Sequence, residues 1–299
     1  MGGRLAPASI ARNTGRSGSN DYFLRCAELL GGGPILIPKS RGRGSRAAYE
    51  PDLEMAGVRR MLLEMGGRIS KRTAISRLRK YERLVCDIAE AVASELGFLG
   101  NKMVELTEEQ ERSMFGAIWR EMHQAPRIVY GADKYGFLYS AVGTMKLDCD
   151  NQAFLVYDVM RKLKVRGAKI VLASVHRHGD HALVKGKWLY FEPTNNKVPM
   201  MGRESKRTQF YQELSWKRKI DALAAATCGW YFMDIRDYGG AIACFELAFR
   251  ENVDLRMMRE KIEKACKRLA EGARSGRRFE EELEAYSKLM ELLPSPEVK

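Results

Sequence analysis

The stretch LDCDNQAFLVYDVMRKL, residues 147–163, decides how the chain is read. Asp148 is a helix-capping residue type, and the apolar residues that follow it recur at helical spacing, which predicts a helix over 148–163. Cys149 then falls in the first turn, where unpaired N–H groups and the positive end of the helix dipole stabilise a thiolate. A cysteine of lowered pKa is expected there. The adjacent Asp148 and Asp150 oppose this, because like charge raises a thiol pKa, so activation requires a cationic partner supplied by the fold.

A histidine is the obvious candidate. His176, His178 and His181, three of the chain's four histidines, share one short stretch downstream. It is preceded by the β-rich run AKIVLASV (168–175) and followed by HALVKGKWLYFE (181–192), which reads as two short strands around a Lys185-Gly186-Lys187 turn. A hairpin pivoting on Gly186 sets residue 181 opposite 191, and a shift of one residue sets Glu192 beside His181. In both registers Glu192 and His181 lie at the same end, where a carboxylate can orient the imidazole and stabilise its protonated form. His176 and His178, with Asp180 and His181, imitate a metal cluster. No second ligand group stands at zinc spacing, so no metal is expected.

Outward from this centre, LEMAGVRRMLLEM (53–65) and ISRLRKYERLVCDIAEAVASEL (75–96) place apolar residues such as Leu78, Ile88 and Val92 at helical intervals. Thr107 with Gln110 forms a capping signature for a further helix running to about Met122, ended by Pro126. After Pro193 a polar, basic loop, TNNKVPMMGRESKRT (194–208), leads to a segment expected to be helical alone, with a domain boundary near Gln209. Helices around a small antiparallel sheet make the fold α+β.

The 299 residues are 45% hydrophobic, enough for a real core, and no apolar run is long enough to span a membrane. The net charge of +13 favours acidic partners. Residues 1–48 concentrate it: Arg4, Arg12, Arg16, Arg25, Lys39, Arg41, Arg43 and Arg46 face only Asp21 and Glu28. This Gly/Ser-rich leader lacks the interleaved aromatics that stack bases, so it reads as a solvated tail, and nucleic acid is not expected as a partner. The start MGGRLAPASIARNTGRSGSN imitates a transit peptide in its basic residues but has no apolar segment, and no targeting is expected. Six scattered cysteines form no C-x-x-C pair, which fits reduced thiols and a cytoplasmic location.

Cys149 at a helix start, then His181-Ala182 opening a strand, then Glu192-Pro193-Thr194 ending the next, resembles the transglutaminase-like superfamily of papain-type thiol enzymes. There the elements read Cys at a helix N-terminus, H-A-W-V on a strand, and D-P-T. The bacterial transglutaminase-like cysteine proteinases, with D-C-x-D/N around the cysteine, are similar at Asp148-Cys149-Asp150-Asn151. The resemblance covers about 105–196. It implies a Cys–His–acid triad of Cys149 as nucleophile, His181 as general base and acid, and Glu192 as orienting carboxylate. Glu192 stands where the family usually has Asp, and Leu183 where an aromatic is frequent. The backbone N–H of Cys149 is an expected oxyanion donor, with a second drawn from 130–140.

In CGWYFMDIRDYGGAIACFELAF (228–249), Gly229, Phe232, Tyr238, Ala241, Phe245 and Ala248 resemble the paired helices of a tetratricopeptide repeat. A weaker match at Phe279, Tyr286, Leu289 and Pro294 has Glu282 where alanine is expected. The organisation expected is a leader (1–48), an N-terminal helical region (49–104), a transglutaminase-like core (105–208) and a tetratricopeptide-like region (209–299). The function expected is a cysteine peptidase or amidase acting on a protein or peptide, without cofactor, its C-terminal helices recruiting a protein partner. The rivals are a cross-linking transglutaminase, an inactive adaptor of the same fold, and a basic nucleic-acid binder.

Overall fold

A computed structural model describes residues 51–52, 54–65, 69–98, 103–123, 128–131, 136–175, 179–194, 200–202, 208–213 and 217–250, with a few isolated positions between 263 and 287. The leader, His176, His178 and the second repeat-like hairpin lie outside the described residues.

The helices begin where capping residues place them. Helix α1 spans Ala56–Met65, and α2 spans Lys71–Leu96, with the Ser70 hydroxyl accepting the Thr73 N–H at 3.2 Å. Helix α3, Glu108–His123, has the complete reciprocal cap: Thr107 N–H donates to Gln110 Oε1 at 2.9 Å and Gln110 N–H to Thr107 Oγ1 at 3.2 Å. Strand β1 (Val129–Tyr130) runs parallel to β2 (Lys146–Leu147), with α4 (Leu138–Thr144) between them. Helix α5, Cys149–Lys162, is buried on every side from Asn151 to Met160, as a helix at the centre of a core must be.

The main sheet is built from β3 (Lys169–Val175), β4 (Gly179–Lys185), β5 (Tyr190–Glu192), β6 (Met200–Gly202) and β7 (Thr208–Glu213). Its order is β6-β5-β4-β3-β7, and each neighbouring pair is antiparallel. After the sheet come the antiparallel helices α6 (Lys217–Asp234) and α7 (Tyr238–Arg250).

Two sequence expectations are corrected here. The basic loop after Pro193 contains β6, and residues 208–213, expected to open an all-helical region, form the strand that pairs with β3. Thr208, Phe210 and Tyr211 supply β-branched and aromatic character, while the three-residue β6 is too short to show a period. The boundary near Gln209 therefore falls inside a strand of the sheet. Ile220, Leu223, Ile242 and Phe245 belong to the same buried cluster as Leu78, Phe115 and Phe154, so the helices that precede the sheet in the chain and those that follow it share one core.

The β4–β5 turn also differs from expectation. Val184 pairs with Phe191 and Lys185 with Tyr190, so the hairpin pivots between Lys187 and Trp188 and follows neither anticipated register. The cause is Glu111 of α3. Its fully buried carboxylate accepts the N–H groups of Lys187 (2.8 Å), Trp188 (3.1 Å) and Leu189 (2.7 Å), taking over donors that a hairpin turn otherwise satisfies itself. Gly186 makes room for it: a Cβ there would stand 2.4 Å from the Glu111 carboxylate. Stacking of Phe115 on Phe191, centroids 4.7 Å apart, fixes the same face of the hairpin to α3.

Helices α1, α2 and α5 are joined by a polar contact inside the core. Asp158 of α5 accepts the N–H groups of Ala56 and Gly57 at the start of α1, each at 2.8 Å, and the Tyr81 hydroxyl of α2 at 2.8 Å. Burial outweighs these three donors and raises the Asp158 carboxyl to about 7. Among the described residues no helix is long and apolar enough to cross a membrane.

Candidate functional site

Cys149 is the first residue of α5 because Asp148 caps the helix, its carboxylate accepting the Asn151 N–H at 3.0 Å. The helix packs on β4, and the Cys149 sulfur accepts the backbone N–H of Ala182. The nucleophile candidate therefore lies against the peptide that follows His181. Along β4, His181 and Leu183 share a face of the sheet, and continuing the β4–β5 register sets Glu192 opposite Leu183. This makes His181 and Glu192 diagonal neighbours on one face, within reach for long side chains. His181 Nε2 lies 3.1 Å from Glu192 Oε1. The Nε2 atom is sealed from solvent and makes no aligned hydrogen bond, so the contact is an ion-pair approach only. Glu192 Oε1 accepts the Thr194 hydroxyl at 3.1 Å, and His123 of α3 contacts the Pro193 carbonyl at 3.1 Å, fixing the corner that carries the carboxylate.

Of the three residues picked from the sequence, His181 on β4 and Glu192 on β5 approach each other, and Cys149 lies against the Ala182 peptide of β4. The expected lowered thiol pKa does not follow from their surroundings. Burial, and next Asp150, push the Cys149 thiol up, and the Ala182 N–H offsets only part of this. The thiol donates to Asp150 Oδ1 at 3.5 Å, a bond that favours its neutral form. The helix dipole is outweighed because it acts through partial charges, whereas Asp150 carries a full one on the neighbouring residue. Asp148 is raised to about 6, by burial first and Asp150 second.

Other groups complete the site. Tyr130 on β1, half exposed, sits beside Leu147 through the parallel pairing. Its phenol is raised by burial and then by the nearby Cys149, Asp148, Asp150 and Glu192. It belongs to the segment expected to supply an oxyanion donor. Sequence reasoning missed Arg60 of α1, which interacts electrostatically with Asp150 and Asp148 from inside the core. In sequence Arg60 and Glu64 form an i,i+4 pair indistinguishable from a surface one.

Among the described residues no group of three or more His, Cys, Asp or Glu side chains gathers to hold a metal. Helices α6 and α7 form a close antiparallel hairpin at the first repeat-like segment, where a Cβ on Gly229 would stand 2.3 Å from the Phe245 ring. Compared with models of protein families, with curated proteins and with solved structures, the chain matches none.

Proposed function

We propose that the chain is a thiol-dependent acyl-transfer enzyme of transglutaminase-like type, a cysteine peptidase or amidase, on a papain-like core flanked by N-terminal helices and a tetratricopeptide-like hairpin. The observation that carries the proposal is the approach of His181 Nε2 to Glu192 Oε1 at 3.1 Å, with the Cys149 sulfur held against the next peptide of the same strand. Because Glu192 faces Nε2, Nδ1 is the nitrogen left to receive the thiol proton.

With a thiol that rests neutral, His181 acts as general base during attack. The S–H proton passes to imidazole as sulfur bonds to the carbonyl carbon of a peptide or carboxamide, and Glu192 stabilises the imidazolium. The Cys149 backbone N–H, in the first turn of α5 and free of an intrahelical partner, points to the resulting oxyanion. Collapse breaks the C–N bond, the amine leaves with the proton from His181, and a thioester remains on Cys149. Water then releases the acid, or a second amine is acylated. The substrate is a protein or peptide, and the α6–α7 hairpin is a docking element for a protein partner.

The test is a burst experiment with p-nitrophenyl acetate. The expected result is release of about one equivalent of nitrophenol per chain, with acetyl found on Cys149 by peptide mass spectrometry and lost in His181→Ala. One observation favours a second reading, a non-enzymatic adaptor: burial and Asp150 hold the thiol neutral. Acetylation spread over several cysteines, or unaffected by His181→Ala, supports that reading and removes the first.

A further inference from the structure

Arg60 is 1% exposed, a guanidinium enclosed in the core beside the equally buried Glu64. Its Nε donates to Glu64 Oε1 at 2.7 Å and its Nη2 to the Gly136 carbonyl at 3.0 Å. Asn151, on the first turn of α5, donates to that same carbonyl at 3.4 Å. Glu64 in turn accepts the Leu138 N–H at 2.7 Å. The pair thus clamps both ends of a three-residue segment against the start of the helix that carries Cys149. The guanidinium lies over the Phe154 ring, 4.8 Å from its centroid, and Nη1 is buried without a hydrogen-bond partner. A buried ion pair adds little stability over apolar residues of the same shape, so its presence here calls for another role.

We propose that Arg60 is a positioning residue of the Cys149 site, holding Gly136 against the first turn of α5 and supplying the positive charge that offsets Asp148 and Asp150 behind the nucleophile. The inference rests on the thiol-enzyme reading. The titratable groups around Cys149 are Asp148 and Asp150 on its own helix turn, Tyr130 from β1, His181 from β4, Glu192 from β5, and Arg60 with Glu64 from α1. Only Arg60 among them is positive at every working pH. Without it, the nucleophile forms its thiolate amid four carboxylates and a single imidazole.

The test is the pH dependence of Cys149 alkylation by iodoacetamide, resolved by peptide, in the parent, Arg60→Met, Arg60→Lys and His181→Ala. The half-buried Cys86 on α2 is the internal control. Loss of the charge should raise the apparent thiol pKa by about one unit, which slows alkylation at pH 8 about three-fold once the higher nucleophilicity of the more basic thiolate is counted. Cys86 should be unchanged, and Arg60→Lys should run faster than Arg60→Met. Where Arg60→Met does not fold, Arg60→Met/Glu64→Gln is set against Glu64→Gln, a background without a stranded buried carboxylate, and the same slowing is expected. A Cys149 profile that superimposes on its reference in the folded variant overturns the inference. A profile moved by Arg60→Met and untouched by His181→Ala leaves the inference standing and removes the triad reading instead.

Discussion

Replacing Asp150 by Asn should make Cys149 more reactive, and the size of the gain follows from one distance. Asp150 Oδ1 lies 3.5 Å from the Cys149 sulfur. Two unit charges at that separation repel by about 1.2 kcal/mol at the dielectric of water and about 4.7 kcal/mol at an effective value of 20. These bounds correspond to about 0.9 and 3.5 pKa units. Each unit of lowered thiol pKa multiplies the thiolate fraction about ten-fold below the pKa and costs roughly half a log unit of nucleophilicity. The net expectation at pH 7 is alkylation of Cys149 faster by about 3-fold at the weak end and about 60-fold at the strong end. Asn keeps the volume of Asp, and the Asp148 cap on Asn151 is untouched, so the helix start should persist. Asp148, raised to about 6, is mostly ionised at pH 7 before and after the change and adds little. The assay is iodoacetamide labelling followed by mass spectrometry of each cysteine peptide, with Cys86 as control. An unchanged or lower rate at Cys149, beside an unchanged Cys86, would refute the argument that Asp150 holds the thiol neutral.

Three further outcomes are expected. Asp158, at about 7 in the fold against an ordinary 3.8, is favoured in its protonated form. Its stabilising contribution is therefore present below about pH 4 and lost as pH rises through about 7, so urea unfolding should show it worth about 2.5 kcal/mol more at pH 5 than at pH 8. Asp158→Asn should lose that difference, and an identical pH slope in parent and variant would contradict the assignment. Glu111→Ala strands three backbone donors of the β4–β5 turn, at a cost of about 3 kcal/mol or more in chemical denaturation. Amide exchange at Lys187, Trp188 and Leu189 should accelerate, and unchanged protection there would show that another group holds the turn. Gly229→Ala drives a methyl into the Phe245 ring and should destabilise the chain by about 1–3 kcal/mol, read by thermal unfolding; a neutral effect would mean that α6 and α7 can separate freely.

Local signals were legible wherever a short stretch of sequence determines its own structure. Asp148 before Cys149, and Thr107 with Gln110, each announce a helix start, and the bonds they imply are made. The apolar positions Leu78, Ile88 and Val92 are fully buried as their period predicts. The features that escaped depend on partners distant in sequence. The hairpin register is displaced because Glu111, some 76 residues away, takes the turn's amides. Strand β7 is recruited by β3 from beyond the loop, and the β-prone Thr208, Phe210 and Tyr211 make too short a run among Gln209, Gln212 and Glu213 to separate a six-residue strand from a helix start. The Cys149 thiol was misjudged because burial is a property of the assembled core, and no count of neighbouring residues supplies it. Arg60 escaped for the same reason, since its helix spacing with Glu64 conceals that both are enclosed.

The place of β7 beside β3 has a bearing on how the chain comes off the ribosome. Until residues 208–213 have emerged, β3 is the outer strand, and its Ile170, Val171 and Leu172 belong to a row of open backbone donors and acceptors. A nascent chain that formed the Cys149 helix and the His181 strand before these residues emerged would carry an adhesive border beside them. That border is closed only by a segment synthesised afterwards. A gene fragment cut at the change of composition near Gln209 would halt permanently at this stage, yielding aggregates in place of an isolated core.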